Sequence, residues 1–214
     1  MPHETTLHNN PAHNPYGNMY WLISTITCFA LDLFFKRVHV EGAVPKMGPV
    51  ILVANHFNAL LDPVMVTRLV GRNVRFLGKE PLFHTPVLKH LVKGMGTLPV
   101  YRAMDGADTS KNKDMFAAVY AALGEGNAVC LFPEGVSHNE PQLQSLKTGA
   151  ARMALGAEAE HGFSLGLKVV PVGLVFSDKR RFRSVAATFV GQPINISEYQ
   201  EAYRQDDRDA ARAL

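Results

Sequence analysis

PVILVANHFNALLDPVMVTRLV, residues 49–70, changes its periodicity halfway along. Residues 49–55 are a continuous apolar run rich in β-branched side chains, the pattern of a strand buried on both faces. Residues 62–70 repeat their apolar side chains at helical spacing. Between the two stand Asn55, His56 and Asp62, with five residues separating the histidine from the aspartate. Strand, polar loop and helix in that order predict a βα unit, and the loop after such a strand is where α/β sheets collect functional groups.

The same alternation extends in both directions. Residues 38–42 read as a short edge strand, 73–79 as a strand, 86–94 as a helix closed by Gly94, and 96–102 as extended. A polar loop (DGADTSKN) leads into a helix over 113–126 that stops at Gly124 and Gly126. AVCLFPEG is a strand entering a tight turn, and 147–162 is a further helix. Residues 168–176 and 185–194 are strands joined by the basic loop SDKRRFRS, and 197–214 is a charged helical tail. The expectation is an α/β fold with a central mixed, largely parallel sheet flanked by helices.

Ahead of that domain, residues 1–18 form a polar tail rich in His, Asn and Pro, expected to be disordered, and His3, His8 and His13 in it are read as scattered rather than metal-binding. Residues 19–37 are expected to form a membrane-associating helix. The apolar run from Met19 to Phe35 is close to one bilayer length, but Asp32 interrupts it. Tyr20 and Trp21 flank one end, Lys36 and Arg37 the other, as at a membrane interface. A helix lying in the interface is the expectation, and a buried core helix the rival. The remainder, 38–214, is read as a single domain.

Composition narrows the function classes only broadly. The chain has 214 residues, is 47% hydrophobic and 19% charged, and carries a formal charge of +3, which does not point to nucleic acid. Positive charge is nevertheless concentrated: Arg68, Arg72, Arg75, Lys79, Lys89, Lys93 and Arg102 face one acid, Glu80, over 35 residues. That stretch suits phosphates or an anionic membrane. Cys28 and Cys130 lie in apolar runs without metal or redox spacing, which predicts free thiols and a reducing compartment.

Three loops carry candidate chemistry. A histidine beyond a buried strand can take a hydroxyl proton near neutral pH, and a carboxylate on its other nitrogen fixes the tautomer and stabilises the imidazolium. His56 and Asp62 have the right types for this, although a His and an Asp six positions apart, taken alone, favour an N-cap or packing role. Arg102 offers a planar fork that fits a phosphate. Gly135, following Pro133 and Glu134, permits a turn that brings backbone close to a ligand. Ser137 lacks the G-x-S-x-G elbow of a serine hydrolase.

Taken in order, NHFNALLDP (55–63), GTLPVYR (96–102), FPEGVSH (132–138) and VVPVGL (169–174) resemble the four blocks of the glycerophospholipid acyltransferase family, which includes lysophosphatidate, glycerol-3-phosphate and dihydroxyacetone-phosphate acyltransferases. The likeness runs from about Val50 to Pro193 and takes in GQPI (191–194). It implies transfer of a fatty acyl group from acyl-CoA or acyl carrier protein to a hydroxyl of glycerol-3-phosphate or 1-acylglycerol-3-phosphate in phospholipid biosynthesis, within a ternary complex and without an acyl-enzyme. By the same resemblance His56 is the general base and Asp62 its orienting partner. Lys79, Arg102, Glu134 and Gly135 position the acceptor phosphate, and Pro171 lies near the acyl donor. The thioester is already activated, so neither metal nor organic cofactor is implied. The expected partners are a membrane surface on its cytoplasmic face, the thioester donor and a glycerophospholipid acceptor.

The commoner family pattern has four residues between His and Asp, whereas the spacing of five here is similar to a branch with fungal-type glycerol-3-phosphate acyltransferases and bacterial relatives. The uncapped, charged C-terminal helix suggests a domain cut from a longer protein. Two other functions fit the residues: an acyltransferase or transacylase for another lysolipid head, and a non-catalytic membrane lipid-binding module. Retained Arg102 and Glu134 favour a phosphate-bearing acceptor over the first, and an intact His56 and Asp62 count against the second.

Overall fold

A computed structural model describes residues 17–102, 105–138, 140 and 142–214. The expectations for His3, His8, His13 and nearly all of the tail lie outside the described residues. The chain runs α1 (Gly17–Phe34), β1 (Arg37–Glu41), β2 (Val50–Ala54), α2 (Leu61–Val70), β3 (Val74–Lys79), α3 (Leu88–Gly94), β4 (Leu98–Val100) and α4 (Asn112–Gly124). It continues through β5 (Ala128–Leu131), α5 (Gly149–Glu160), β6 (Lys168–Phe176), β7 (Val185–Val190), β8 (Ile194–Asn195), α6 (Gln200–Gln205) and α7 (Asp207–Ala213).

The strands form one mixed sheet in the order β1-β7-β6-β2-β5-β3-β4, with β8 beside β6. From β6 to β4 every neighbouring pair is parallel. The antiparallel hairpin β6–β7 reverses the direction, and β1 then joins β7 in parallel as the edge strand. The side-chain alternation of the strands divides the core into two layers. Ile51, Val129 and Val169 pack toward α4, α5 and α7. Val50, Leu52, Ala128, Cys130, Val170 and Val172 pack toward α1 and α2. A strand buried on both faces must be apolar at every position, which is why residues 50–54 show no polar alternation.

The N-terminal helix is bound to the domain along one side only. Tyr20, Ser24 and Leu31 are buried there. The Tyr20 hydroxyl donates to the Arg72 carbonyl (3.3 Å) and accepts from the Val74 N–H (3.1 Å), and burial pushes its pKa up to about 12. Asp32, the charge that interrupts the apolar run, accepts from Arg68 Nε at 2.8 Å. The opposite side is different: Met19, Leu22, Ile26, Phe29 and Leu33 are 48–71% exposed. Their spacing of three and four residues makes one stripe along the helix. Among the described residues no helix is long and apolar enough to cross a membrane.

Two segments depart from the sequence-based expectation. The run 185–194 is divided into β7 and β8. The C-terminal helix breaks at Asp206, whose backbone is extended (φ −155°) and whose carboxylate caps α7 by accepting from the N–H groups of Arg208 and Asp209. The break lets Ala210 and Ala211 turn into the core.

Candidate active site

Parallel pairing brings the carboxyl ends of β2, β5, β3 and β4 into one row, and each carries a residue singled out in the sequence. His56 follows β2, Glu134 and Gly135 follow β5, Lys79 ends β3, and Arg102 follows β4. With about 4.8 Å between strands the row is about 14 Å long.

His56 and Asp62 meet: Nδ1 lies 2.9 Å from Asp62 Oδ2. The spacing of five is absorbed by a closed turn. The Asn58 side-chain oxygen accepts from the N–H groups of Leu60 and Leu61, and the Asp62 N–H donates to the Asn58 carbonyl. Asp62 therefore enters α2 in its first turn, aimed back at the loop, and its Oδ2 also accepts from the Asn58 N–H at 2.7 Å. Asp62 is fully buried, whereas the His56 side chain is 15% exposed. The imidazole stacks on Phe132 with ring centroids 4.0 Å apart. A carboxylate on Nδ1 places the proton there and leaves the Nε2 lone pair for a reactant.

Glu134 is buried and both its carboxylate oxygens are occupied. Oε1 accepts from the His56 N–H at 2.9 Å, and Oε2 from His138 Nε2 and the Gln144 N–H. The His138 N–H donates in turn to the His56 carbonyl at 3.0 Å. Residue 56 is thus gripped on both backbone sides by the loop after β5. In this geometry Glu134 fixes the histidine loop rather than facing a ligand. Gly135 has φ +74°, a conformation that favours glycine.

Arg102 lies against that turn. Its Nη1 donates to the Gly135 carbonyl at 2.5 Å, while Nε and Nη2 fork onto Asp105 at 2.6 and 2.9 Å. The hydrogen bonds and charge of Arg102, with Lys79 nearby, hold the Asp105 carboxyl below its ordinary value. Lys79 is exposed at the strand end.

Three contributors were not legible as site residues. His138 is a lone histidine whose Nδ1 is buried without a partner. The Lys147 ammonium lies where a side chain on Gly135 would begin. Lys179 reaches across 122 residues of sequence to donate to the Phe57 carbonyl at 2.5 Å. Only the FPEGVSH block hinted at the first, and nothing local marks the other two. Among the described residues no cluster of three or more His, Cys, Asp or Glu is arranged for a metal ion.

A carboxylate-held imidazole thus stands at the carboxyl edge of the parallel strands of an α/β domain, beside a cationic flank. More narrowly, the chain belongs to the acyltransferase family, whose model matches residues 37–175. It is 25% identical to an uncharacterized acyltransferase of Schizosaccharomyces pombe over 92% of its own length and 41% of that protein. It is 37% identical to glycerol-3-phosphate O-acyltransferase 2 of Saccharomyces cerevisiae over 50% of its own length and 14% of the relative. It is 28% identical to the chloroplastic 1-acyl-sn-glycerol-3-phosphate acyltransferase LPAT1 of Arabidopsis thaliana over 68% of its own length and 38% of the relative. The chain thus spans about two fifths or less of the length of these relatives. Its fold is that of the Thermotoga maritima 1-acyl-sn-glycerophosphate acyltransferase PlsC, with a TM-score of 0.59, 20% identity, and coverage of 86% of this chain and 75% of that one.

Proposed function

We propose that this chain transfers a fatty acyl group from a thioester, acyl-CoA or acyl carrier protein, to a hydroxyl of glycerol-3-phosphate or 1-acylglycerol-3-phosphate. The observation that carries the reading is the His56–Asp62 contact, with Nδ1 bound at 2.9 Å and Nε2 open. In the proposed step Nε2 takes the acceptor's hydroxyl proton as its oxygen bonds to the thioester carbonyl carbon. The tetrahedral intermediate collapses with cleavage of the C–S bond, and the imidazolium returns its proton to the departing thiolate. Asp62 stabilises the imidazolium formed in between. The thioester supplies its own activation, so the reaction draws on no metal or organic cofactor.

Lys79 and Arg102, at the ends of adjacent strands, are the cations for the acceptor phosphate. A phosphate takes the Arg102 fork by displacing the Asp105 carboxylate, since both anions use the same two donors. The apolar stripe Met19–Leu22–Ile26–Phe29–Leu33 supports a surface position, with α1 lying in the lipid interface. Its two free cysteines suit the cytoplasmic side. The test is thiol release from acyl-CoA with each acceptor, for wild type and His56→Ala. Turnover that survives His56→Ala overturns the mechanism, and no turnover with either phosphate-bearing acceptor overturns the substrate class.

A further inference from the structure

The segment 177–184, between β6 and β7, reads Ser-Asp-Lys-Arg-Arg-Phe-Arg-Ser. It is held in a single shape by its own ends. The Ser184 hydroxyl donates to the Asp178 carbonyl at 2.6 Å, and the Val185 N–H donates to the Ser177 hydroxyl oxygen at 3.0 Å. Two further bonds fasten it to the end of α1: Arg183 N–H to the Phe34 carbonyl (2.7 Å) and Lys36 N–H to the Ser184 carbonyl (2.8 Å). Arg183 sits at φ +64°, a conformation a non-glycine residue keeps only where its surroundings impose it.

What this fixed loop presents is unusual for a soluble surface. Phe182 is 59% exposed, touching Phe34 edge-on with ring centroids 6.0 Å apart. Arg180, Arg181 and Arg183 are exposed around it, and among the described residues none of their guanidinium groups pairs with a carboxylate, although the Arg180 backbone N–H donates to Asp178. Lys36 and Arg37 are exposed at the adjoining helix end. Unpaired arginines around an outward aromatic, beside the end of the helix that bears the apolar stripe, match the chemistry of a bilayer interface: anionic headgroups outside, acyl chains beneath.

We infer that residues 180–183 are a second membrane-contact element, which takes the phosphates of anionic phospholipids with Arg180, Arg181 and Arg183 and inserts Phe182 beside α1. This rests on the reading of α1 as a membrane-surface helix. The consequence for the site follows from Lys179. Its ammonium is bonded to the carbonyl of Phe57, the residue after the catalytic histidine, so the lipid-facing loop and the histidine loop are tied together.

The experiment is flotation of the full chain with vesicles of phosphatidylcholine alone and of phosphatidylcholine with one quarter phosphatidylglycerol. Wild type, Arg180→Gln/Arg181→Gln/Arg183→Gln and Phe182→Ser are compared, each checked for unchanged thermal unfolding. With about fivefold per basic residue at an anionic surface, the triple variant loses about 150-fold in partition to the anionic vesicles, and keeps its binding to neutral ones. Phe182→Ser weakens binding to both. Equal anionic-vesicle binding by triple variant and wild type overturns the loop's role while leaving α1 in place. Wild type that floats with neither vesicle overturns the membrane reading beneath it.

Discussion

Replacing Asp62 by Asn tests the geometry of the base most directly, because the structure dictates which way the amide must turn. In the native site Oδ2 accepts two hydrogen bonds, from His56 Nδ1 and the Asn58 N–H, while Oδ1 is buried without a partner. An amide that put its NH2 toward His56 would also face the Asn58 N–H, donor against donor. The side chain therefore keeps its oxygen at the Oδ2 position and leaves its NH2 where Oδ1 was. The tautomer of His56 survives, and what is lost is the negative charge beside the imidazolium. That loss is worth about 4 kcal/mol for unit charges about 4 Å apart at an effective dielectric of about 20. The expected fall in kcat is accordingly about 10²- to 10³-fold, with KM for the acceptor little changed. It is smaller than the roughly 10⁴-fold loss when a wrong tautomer is imposed on a serine-protease triad. The unpaired buried NH2 should lower stability by about 1–3 kcal/mol in urea. The assay is thiol release from acyl-CoA at saturating acceptor. A loss below tenfold would refute the stabilisation of the imidazolium by the Asp62 charge, and one of 10⁴ or more would refute the argument about the amide's direction.

Two other perturbations read the structure independently of activity. Tyr20→Phe removes the acceptor for the buried Val74 N–H and should cost about 1–3 kcal/mol of unfolding free energy, measured by denaturant titration. Stability within about 0.5 kcal/mol of wild type would contradict the docking of α1. Cys130 is fully buried, and burial together with the nearby Asp62 charge pushes its thiol well up from the ordinary value. It should resist iodoacetamide at pH 8.5 in the folded protein and react in urea. A thiol whose pKa is raised by folding contributes stability that is complete below the unfolded value of about 8.5 and is lost as pH rises toward the folded one. Stability should therefore decline above pH 9, and less so in Cys130→Ala.

The sequence by itself determined the repeating elements and the identity of the chemistry-bearing loops. Buried strands such as 50–54 declare themselves by uninterrupted apolar runs, and helices such as 112–124 by their period and closing glycines, because both signals come from neighbours within one turn or one pleat. His56 and Asp62 were likewise legible as candidates, since a turn of a few residues joins them. Only the tertiary structure decided how these parts act on one another. The occupied carboxylate of Glu134 spans 78 residues to His56, and the reach of Lys179 to Phe57 spans 122. The break at Asp206 depends on Ala210 and Ala211 finding the core beneath α5. The loop 177–184 reads as an ordinary basic connection until the sheet order sets it against Phe34. In each case the partner is chosen by which strand lies beside which, and strand order is fixed by burying both faces of the whole sheet together, information that no local stretch of residues contains.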